Sequence, residues 1–541
     1  MKTIYLNGQV FTGSLPLQEA FAVENGCFLA VGTNQEITAL SHAEDTVVDL
    51  EGRFVCPGFN DSHMHLLNYG NALEQCDLSR CTGSVKELQE GLRTFLREQA
   101  LPKGTWLRGR GWNQDYFSPA SGMPTRFDLD AVSTEHPICI VRCCGHCLVV
   151  NSRALELLSL DKNLPQVEGG SFDTDADGNL TGVFCDSAMS YVYTRLPAPS
   201  REDLKRMIRT ASRELNRRGI TSCHSDDLCC FENVPWPEVI AAYRELEDAG
   251  ELTVRVYEQS QFTTPEGLQE FLDQGYNTGT GSDRFRIGPL KMLGDGSLGA
   301  RTAYLSRGYA DAPEERGIPI FSQQEFDDMI LLAHQNGMQV AIHAIGDGIL
   351  DRILSAYERA FTACPRKDHR SGVVHVQLTR PEQLEKMAAL NLHAYIQTIF
   401  LDYDTRIVRD RAGEPLASTS YAFHAMGSLG ISRSNGTDCP VEYPDPMRGI
   451  QCAVTRQPLD GSLSPYRPEE AMTVEEALSL YTAGSAYASF EELKKGRIQP
   501  GFLADFAVFS ENPFDTAPQH IAAIQAKAAY VGGKRIFACV S

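Results

Sequence analysis

The sequence predicts an α/β protein built on a TIM-type (β/α)8 barrel, with a small β domain made from both ends of the chain and an insertion after the first barrel strand. Three observations predict it. Strand-like and helix-like segments alternate through the middle of the chain, the pattern of parallel βα units. Eight of the strand-like segments qualify as barrel strands, ending near Asp61, His224, Gln259, Lys291, His343, His375, Gln397 and Asp438, and eight such units close a barrel. Both ends of the chain, in contrast, read as β.

At the N-terminal end, Thr3–Leu6 and Gln9–Phe11 flank Asn7-Gly8, and Phe21–Val23 and Phe28–Val31 flank Asn25-Gly26. Asn-Gly between apolar runs signals a hairpin, because both residues tolerate positive φ. At the other end Asp505–Phe509 is strand-like, and Tyr530-Val531 and Arg535–Phe537 flank Gly532-Gly533. The two ends are expected to pair into one small sheet domain. Residues 67–200 do not fit one βα unit. They hold a capped amphipathic helix (Ser84 and Glu87, then Leu88, Leu92 and Phe95) and strand-like Trp106–Arg108 and Ile138–Val141. This stretch is read as the insertion, helping to form a substrate pocket. Further on, Ser322 and Glu325 make a capping box for a helix carrying Phe326, Met329, Ile330 and Ala333, which stops at Gly337 before strand Gln339–Ile342. Thr379 with Glu382 opens another helix after strand Val373–Val376, and Thr473 with Glu476 opens a third.

The 541 residues can bury a sizeable core. A net charge of −21 argues against a broad nucleic-acid or anionic-membrane surface, since phosphate binding needs clustered Lys and Arg. The 16 cysteines, with Cys56 and Cys139 in apolar strands, fit free buried thiols in a reducing compartment. The start, MKTIYLNGQVF, has no apolar run of signal-peptide length, and no run approaches a membrane span. A soluble, cytoplasmic protein is expected.

The chemistry begins at GFNDSHMH, residues 58–65. His63 and His65 lie two apart, so on an extended segment both imidazoles share a face and can bind one metal ion. By itself His-x-His is a weak signal; its place after an apolar strand and Pro57-Gly58 strengthens it. His343 in QVAIHAIGD and His375 in GVVHVQL stand at the ends of separate strands, in a chain with only 13 His. Each alone reads as a hydrogen-bonded structural residue; together they make a metal site at one barrel mouth. Asp438 in SRSNGTDCPV is either a turn residue or a carboxylate that binds metal and shuttles a proton. Lys291 is a poor ligand as an ammonium, but its carbamate could bridge two metals; pairing with Asp295 or plain solvation are the alternatives. Pocket candidates are Trp112, Asn113, His146, Asp295, Arg301 and Thr302, with simple packing an equal reading for Trp112. Cys144 and Cys147 are read as buried thiols rather than a structural zinc site, and Asp226-Asp227 as a solvated loop.

In this order the motifs resemble the amidohydrolase superfamily, and more narrowly its YtcJ-like branch (the amidohydrolase 3 type). They are PGFNDSHMHL, RGRGWNQ, GHCLVVNSRAL, KMLGDGSLGARTAYL, AIHAIGD, TDCPVEYP and GRIQPGFLADFAVF, which span nearly the whole chain. Asn60 and the Asn435-Gly436-Thr437-Asp438 run depart from the commoner forms. The resemblance implies a composite β-sandwich from residues 1–56 and 490–541, around a metal-dependent hydrolase barrel over 57–489. It implies His63, His65, His343, His375 and Asp438 as ligands of one or two divalent ions, zinc being expected. Lys291 is then an N6-carboxylysine bridge and Asp438 the general base, with Asp438 and Lys291 the catalytic pair. The implied reaction is cleavage of a non-peptide carbon–nitrogen bond in an amide, N-substituted formamide, N-acyl compound or cyclic amide. A mononuclear deaminase is the alternative, disfavoured because His343-Ala344-Ile345-Gly346 lacks the expected acid; a non-catalytic scaffold is a third. The partners expected are a small-molecule substrate and a second copy in a homodimer, with neither nucleic acid nor membrane.

Overall fold

The computed structural model describes residues 2–539 apart from 115–116, 118–121, 143–146 and 168–169. The candidates His146 and Cys144 lie outside the described residues. The chain divides into two compact units, Met1–Tyr69 with Leu204–Ser541, and Gly70–Asp203.

The first unit holds an eight-stranded parallel sheet curled into a nearly closed barrel. Its strands are β1 (Phe59–Met64), β2 (Ile220–Ser225), β3 (Arg255–Gln261), β4 (Phe285–Leu293), β5 (Val340–Ala344), β6 (Gly372–His375), β7 (His393–Ile396) and β8 (Arg433–Asn435). Each pairs with the next in parallel. Where β8 meets β1 the ladder gives way to two backbone bonds just beyond β8: Asp438 N–H to His63 O and His65 N–H to Cys439 O, both 2.8 Å. Helices cover the outside. The helix Gln323–Gln335 starts at Ser322, whose Oγ accepts the Glu325 N–H while the Glu325 carboxylate accepts the Ser322 N–H. Among the described residues no helix is long and apolar enough to cross a membrane.

The ends of the chain build two further sheets in this unit. One holds Cys27–Gly32, Ala20–Glu24, Thr3–Leu6 and Thr46–Asp49; the other interleaves Gln9–Val10 and Phe54–Pro57 with Phe506–Phe509, Ala526–Val531 and Lys534–Ala538. Aromatic rings fill the space between them: Phe506 stacks on Tyr530 at 4.3 Å and Tyr5 on Phe21 at 4.7 Å. Two of the three expected hairpins form. Asn25-Gly26 and Gly532-Gly533 put both residues at positive φ and join antiparallel neighbours. The expected hairpin at Asn7-Gly8 does not form: Thr3–Leu6 and Gln9–Val10 go to different sheets. Only Asn7 takes positive φ there, whereas the tight turn needs it at both positions. One helix start also moves. The helix after β6 is Pro381–Ala389, capped by Arg380 rather than Thr379, because proline fits best at the first helical position.

The second unit is a six-stranded sheet in the order Gly170–Thr174, Leu180–Asp186, Cys147–Val150, Ile138–Arg142, Leu107–Trp112, Cys76–Asp77. Helix Val85–Glu98, capped by Ser84, buries Leu88 and Leu92 in its core, where Trp112 also lies. The insertion thus follows the first barrel strand and has a core of its own.

Candidate metal centre

The seam between β8 and β1 sets the geometry. Asp61 Oδ1 accepts the N–H groups of His63 (3.2 Å) and Thr437 (3.0 Å), and its Oδ2 accepts the Thr437 hydroxyl. A Cβ at Gly436 would lie 2.6 Å from His63 N and 2.8 Å from Asp61 Oδ1, so only glycine lets the two segments close. Held in this way, Asp438 brings Oδ1 to 3.2 Å from His63 Nε2 and 3.2 Å from His65 Nε2. The three side chains form a group whose ligand atoms all lie within 4.8 Å of one another. The His375 ring is 5.5 Å from His63 and 4.4 Å from His343, centroid to centroid. The backbone is strained here: Asp438, His375 and Val376 take φ of 57°, 77° and 51°. A β-branched residue in that region is an outlier, and such strain persists only where surrounding structure imposes it.

The imidazole partners decide where the protons sit. His65 Nδ1 faces the Asp226 carbonyl at 3.2 Å, and His343 Nε2 faces the Gly296 carbonyl at 3.1 Å. A carbonyl can only accept, so those nitrogens donate and the other nitrogen of each neutral ring carries the lone pair. His63 Nδ1 and His375 Nδ1 likewise face the Oε1 atoms of Gln259 and Gln397, each at 2.7 Å. Two lone-pair nitrogens, His63 Nε2 and His65 Nε2, therefore converge on a carboxylate oxygen. Acceptors at 3.2 Å repel unless a proton or a metal ion lies among them; burial lowers the pKa of His65, but contact with Asp438 overrides this and raises it. Protonating His63 is opposed by burial first and then by the Lys291 charge, which together push its pKa down to about 4. Burial, followed by His343, holds His375 well below the ordinary range. Burial pushes Asp438 up, yet a hydrogen bond from whichever of His63 and His65 carries a proton overrides it and holds the carboxyl well below its ordinary range. Imidazole nitrogen with carboxylate oxygen suits zinc and similar divalent ions, so the residues present fit a metal.

The other candidates fall into place individually. Lys291 is buried on β4, its Nζ 3.5 Å from Asp226 Oδ2, so it is neither solvated nor paired with Asp295. The Asp226-Asp227 pair is no solvated loop. Both are buried, Asp227 accepting the Leu67 N–H and the Tyr243 hydroxyl. Asp295 accepts the N–H groups of Tyr304, Ile345 and Gly346 and lies 3.3 Å from His343 Nε2, ordering the loop after β4. Arg301 pairs with Asp311 at 2.8 Å, and the Thr302 hydroxyl accepts the Ser297 N–H. In the second unit Trp112 is buried in the core and Asn113 accepts from Arg142. Sequence reasoning passed over Asp226, Gln259 and Gln397 as participants. The two glutamines did carry a signal, since both close predicted barrel strands.

A model of the amidohydrolase family matches residues 46–537. YtcJ of Bacillus subtilis is 31% identical over 99% of this chain and 99% of its own. The N-substituted formamide deformylase of Arthrobacter pascens is 25% identical over 95% of this chain and 94% of its own. Among solved structures, an uncharacterized metal-dependent hydrolase from Pyrococcus furiosus superposes with a TM-score of 0.80 at 29% identity, covering 95% of this chain and 100% of that one.

Proposed function

The chain belongs to the amidohydrolase family, and from that premise we propose that it hydrolyses a non-peptide carbon–nitrogen bond in a small amide. The site would be a divalent metal centre, zinc by preference, held by His63, His65, His343, His375 and Asp438. The observation that carries this is the convergence of His63 Nε2 and His65 Nε2 on Asp438 Oδ1 at 3.2 Å, a donor set that a divalent ion would fill in place of a proton. A divalent ion there supplies Lewis acidity, lowering the pKa of a water towards ~7 and polarising a substrate carbonyl.

The chain's own residues do the rest. Asp438, ionised and buried, accepts a proton from the attacking water and hands it to the departing nitrogen. His63 and His65 keep that carboxylate at the centre of the mouth. Lys291, as its carbamate, would add a second anionic group to the site. N-substituted formamides head the substrate classes because the Arthrobacter relative bears that activity in its name; N-acyl and cyclic amides follow. A deaminase would need an acid free to give a proton near His343; Asp295, 3.3 Å away, is taken up by the N–H groups of Tyr304, Ile345 and Gly346, and Asp347 by Ser306 and Arg380.

The test is metal analysis of the purified chain, with a screen of formamides, N-acyl compounds and cyclic amides before and after chelation. We expect one or two divalent ions per chain, turnover lost on chelation and restored by zinc, and His63→Ala to lose activity by about 10³-fold or more. A chain that takes up no metal on reconstitution would sink the reading.

A further inference from the structure

Two barrel strands with no candidate ligand, β3 and β7, bring glutamines to the mouth, Gln259 within β3 and Gln397 directly after β7. Gln259 Oε1 is 2.7 Å from His63 Nδ1, and Gln397 Oε1 is 2.7 Å from His375 Nδ1. The far end of each amide fixes its orientation. Gln259 Nε2 donates to Ser62 O and Gln397 Nε2 to Tyr395 O, both at 3.2 Å. Flipping either amide would set oxygen against a carbonyl oxygen, so each Oε1 must face its imidazole and accept from Nδ1–H. Each ring then keeps its lone pair on Nε2. All four side chains are buried, with Gln259 fully excluded from solvent.

Resting on the metal-site reading above, we propose that Gln259 and Gln397 are positioning residues, neutral amides that lock His63 and His375 into the tautomer able to bind metal through Nε2. The strands divide the labour. Those at β1, β5 and β6 offer imidazoles and the turn after β8 offers Asp438, while β3 and β7 supply the groups that aim two of the rings. Because the orienting groups are amides and not carboxylates, they add no negative charge beside Asp438. Removing such a partner typically weakens metal binding by about 10–100-fold.

The experiment measures zinc affinity by chelator competition, and the absorption spectrum of the cobalt-loaded form, on the full-length wild type, Gln259→Ala, Gln259→Glu, Gln397→Ala and His63→Ala. We expect both alanine variants to bind about 10–100-fold more weakly, with a changed cobalt spectrum. Gln259→Glu keeps an acceptor for Nδ1–H but sets an oxygen against Ser62 O and adds a charge, and should bind zinc more tightly than Gln259→Ala though less tightly than wild type. If Gln259 served only as a brace for Ser62, the glutamate variant would be the worse of the two, and the proposal fails. It also fails if Gln397→Ala, an independent site, matches wild type in affinity and spectrum. Wild type that binds metal and His63→Ala that does not would uphold the site even then. A wild type that binds none overturns both.

Discussion

Lys291 is buried with its Nζ 3.5 Å from Asp226 Oδ2, and two chemistries are open to it. As an ammonium it neutralises Asp226. As a free amine it can add to carbon dioxide, forming an N–C bond and releasing a proton, and the product is an anion that pairs with cations instead. Turnover of Lys291→Ala should fall by about 10²–10⁴-fold in either case, and the two chemistries differ in what restores it. Short carboxylic acids at millimolar concentration should restore part of the rate if the carbamate is the working form. Rescue by small amines and not by acids would show that the ammonium is what matters. This residue was legible as special because it closes a strand among the histidines. Its partner was not. Asp226 is 65 positions away in the chain, and its second role, accepting from His65, is played by a backbone carbonyl that any residue type could present.

Among the elements, the join between β8 and β1 carries the most chemistry for its size. Asp61, Gly436 and Thr437 hold the two segments together, and the same contacts place Asp438 against both histidines. Gly436→Ala is therefore expected to act twice. Its Cβ would stand 2.6 Å from backbone nitrogen, which cannot swing aside as a side-chain end can. The overpacking should cost about 1–3 kcal/mol, read as a shift in urea midpoint, and zinc retention should fall with it. Unchanged retention would mean that the seam is not what positions Asp438. The barrel strands themselves were legible because apolar runs alternate with capped helices, each cap being a local signal. The second unit was less so. Its strand Leu180–Asp186 pairs with Gly170–Thr174 on one side and Cys147–Val150 on the other and is buried on both faces, so it shows no alternation, while Gly170–Thr174 stays largely open to solvent.

For the molecule as a whole, stability should depend on keeping buried histidines neutral. His393 lies on β7 with its ring between the hydroxyls of Ser432 and Ser434, and burial, followed by the charges of Arg370 and Arg433, pushes its pKa down to about 3. His369, buried beside Phe361, is pushed down to about 4 by burial and then by His334. An unfolded chain takes up protons at both from about pH 6.5, while the folded chain refuses them until far lower. In that window the unfolded state holds more protons, so acid favours it. Stability contributed by these rings is full above pH 6.5 and declines on acidification, by up to about 1.4 kcal/mol per pH unit for each. Thermal unfolding of the metal-free protein at pH 7.5 and 5.5 separates this from loss of metal. His393→Gln, whose amide can still meet both serines, should flatten the slope by about one ring's share. Equal slopes for the variant and the wild type would place the acid sensitivity elsewhere. Neither histidine stood out in the sequence, because what silences them is enclosure by strands that are far apart in the chain. The same holds for the composite sheets. Phe506–Phe509 could be read as a strand, but its partner Phe54–Pro57 and the buried Arg255–Asp505 pair that ties β3 to it at 2.6 Å exist only once the two ends have met.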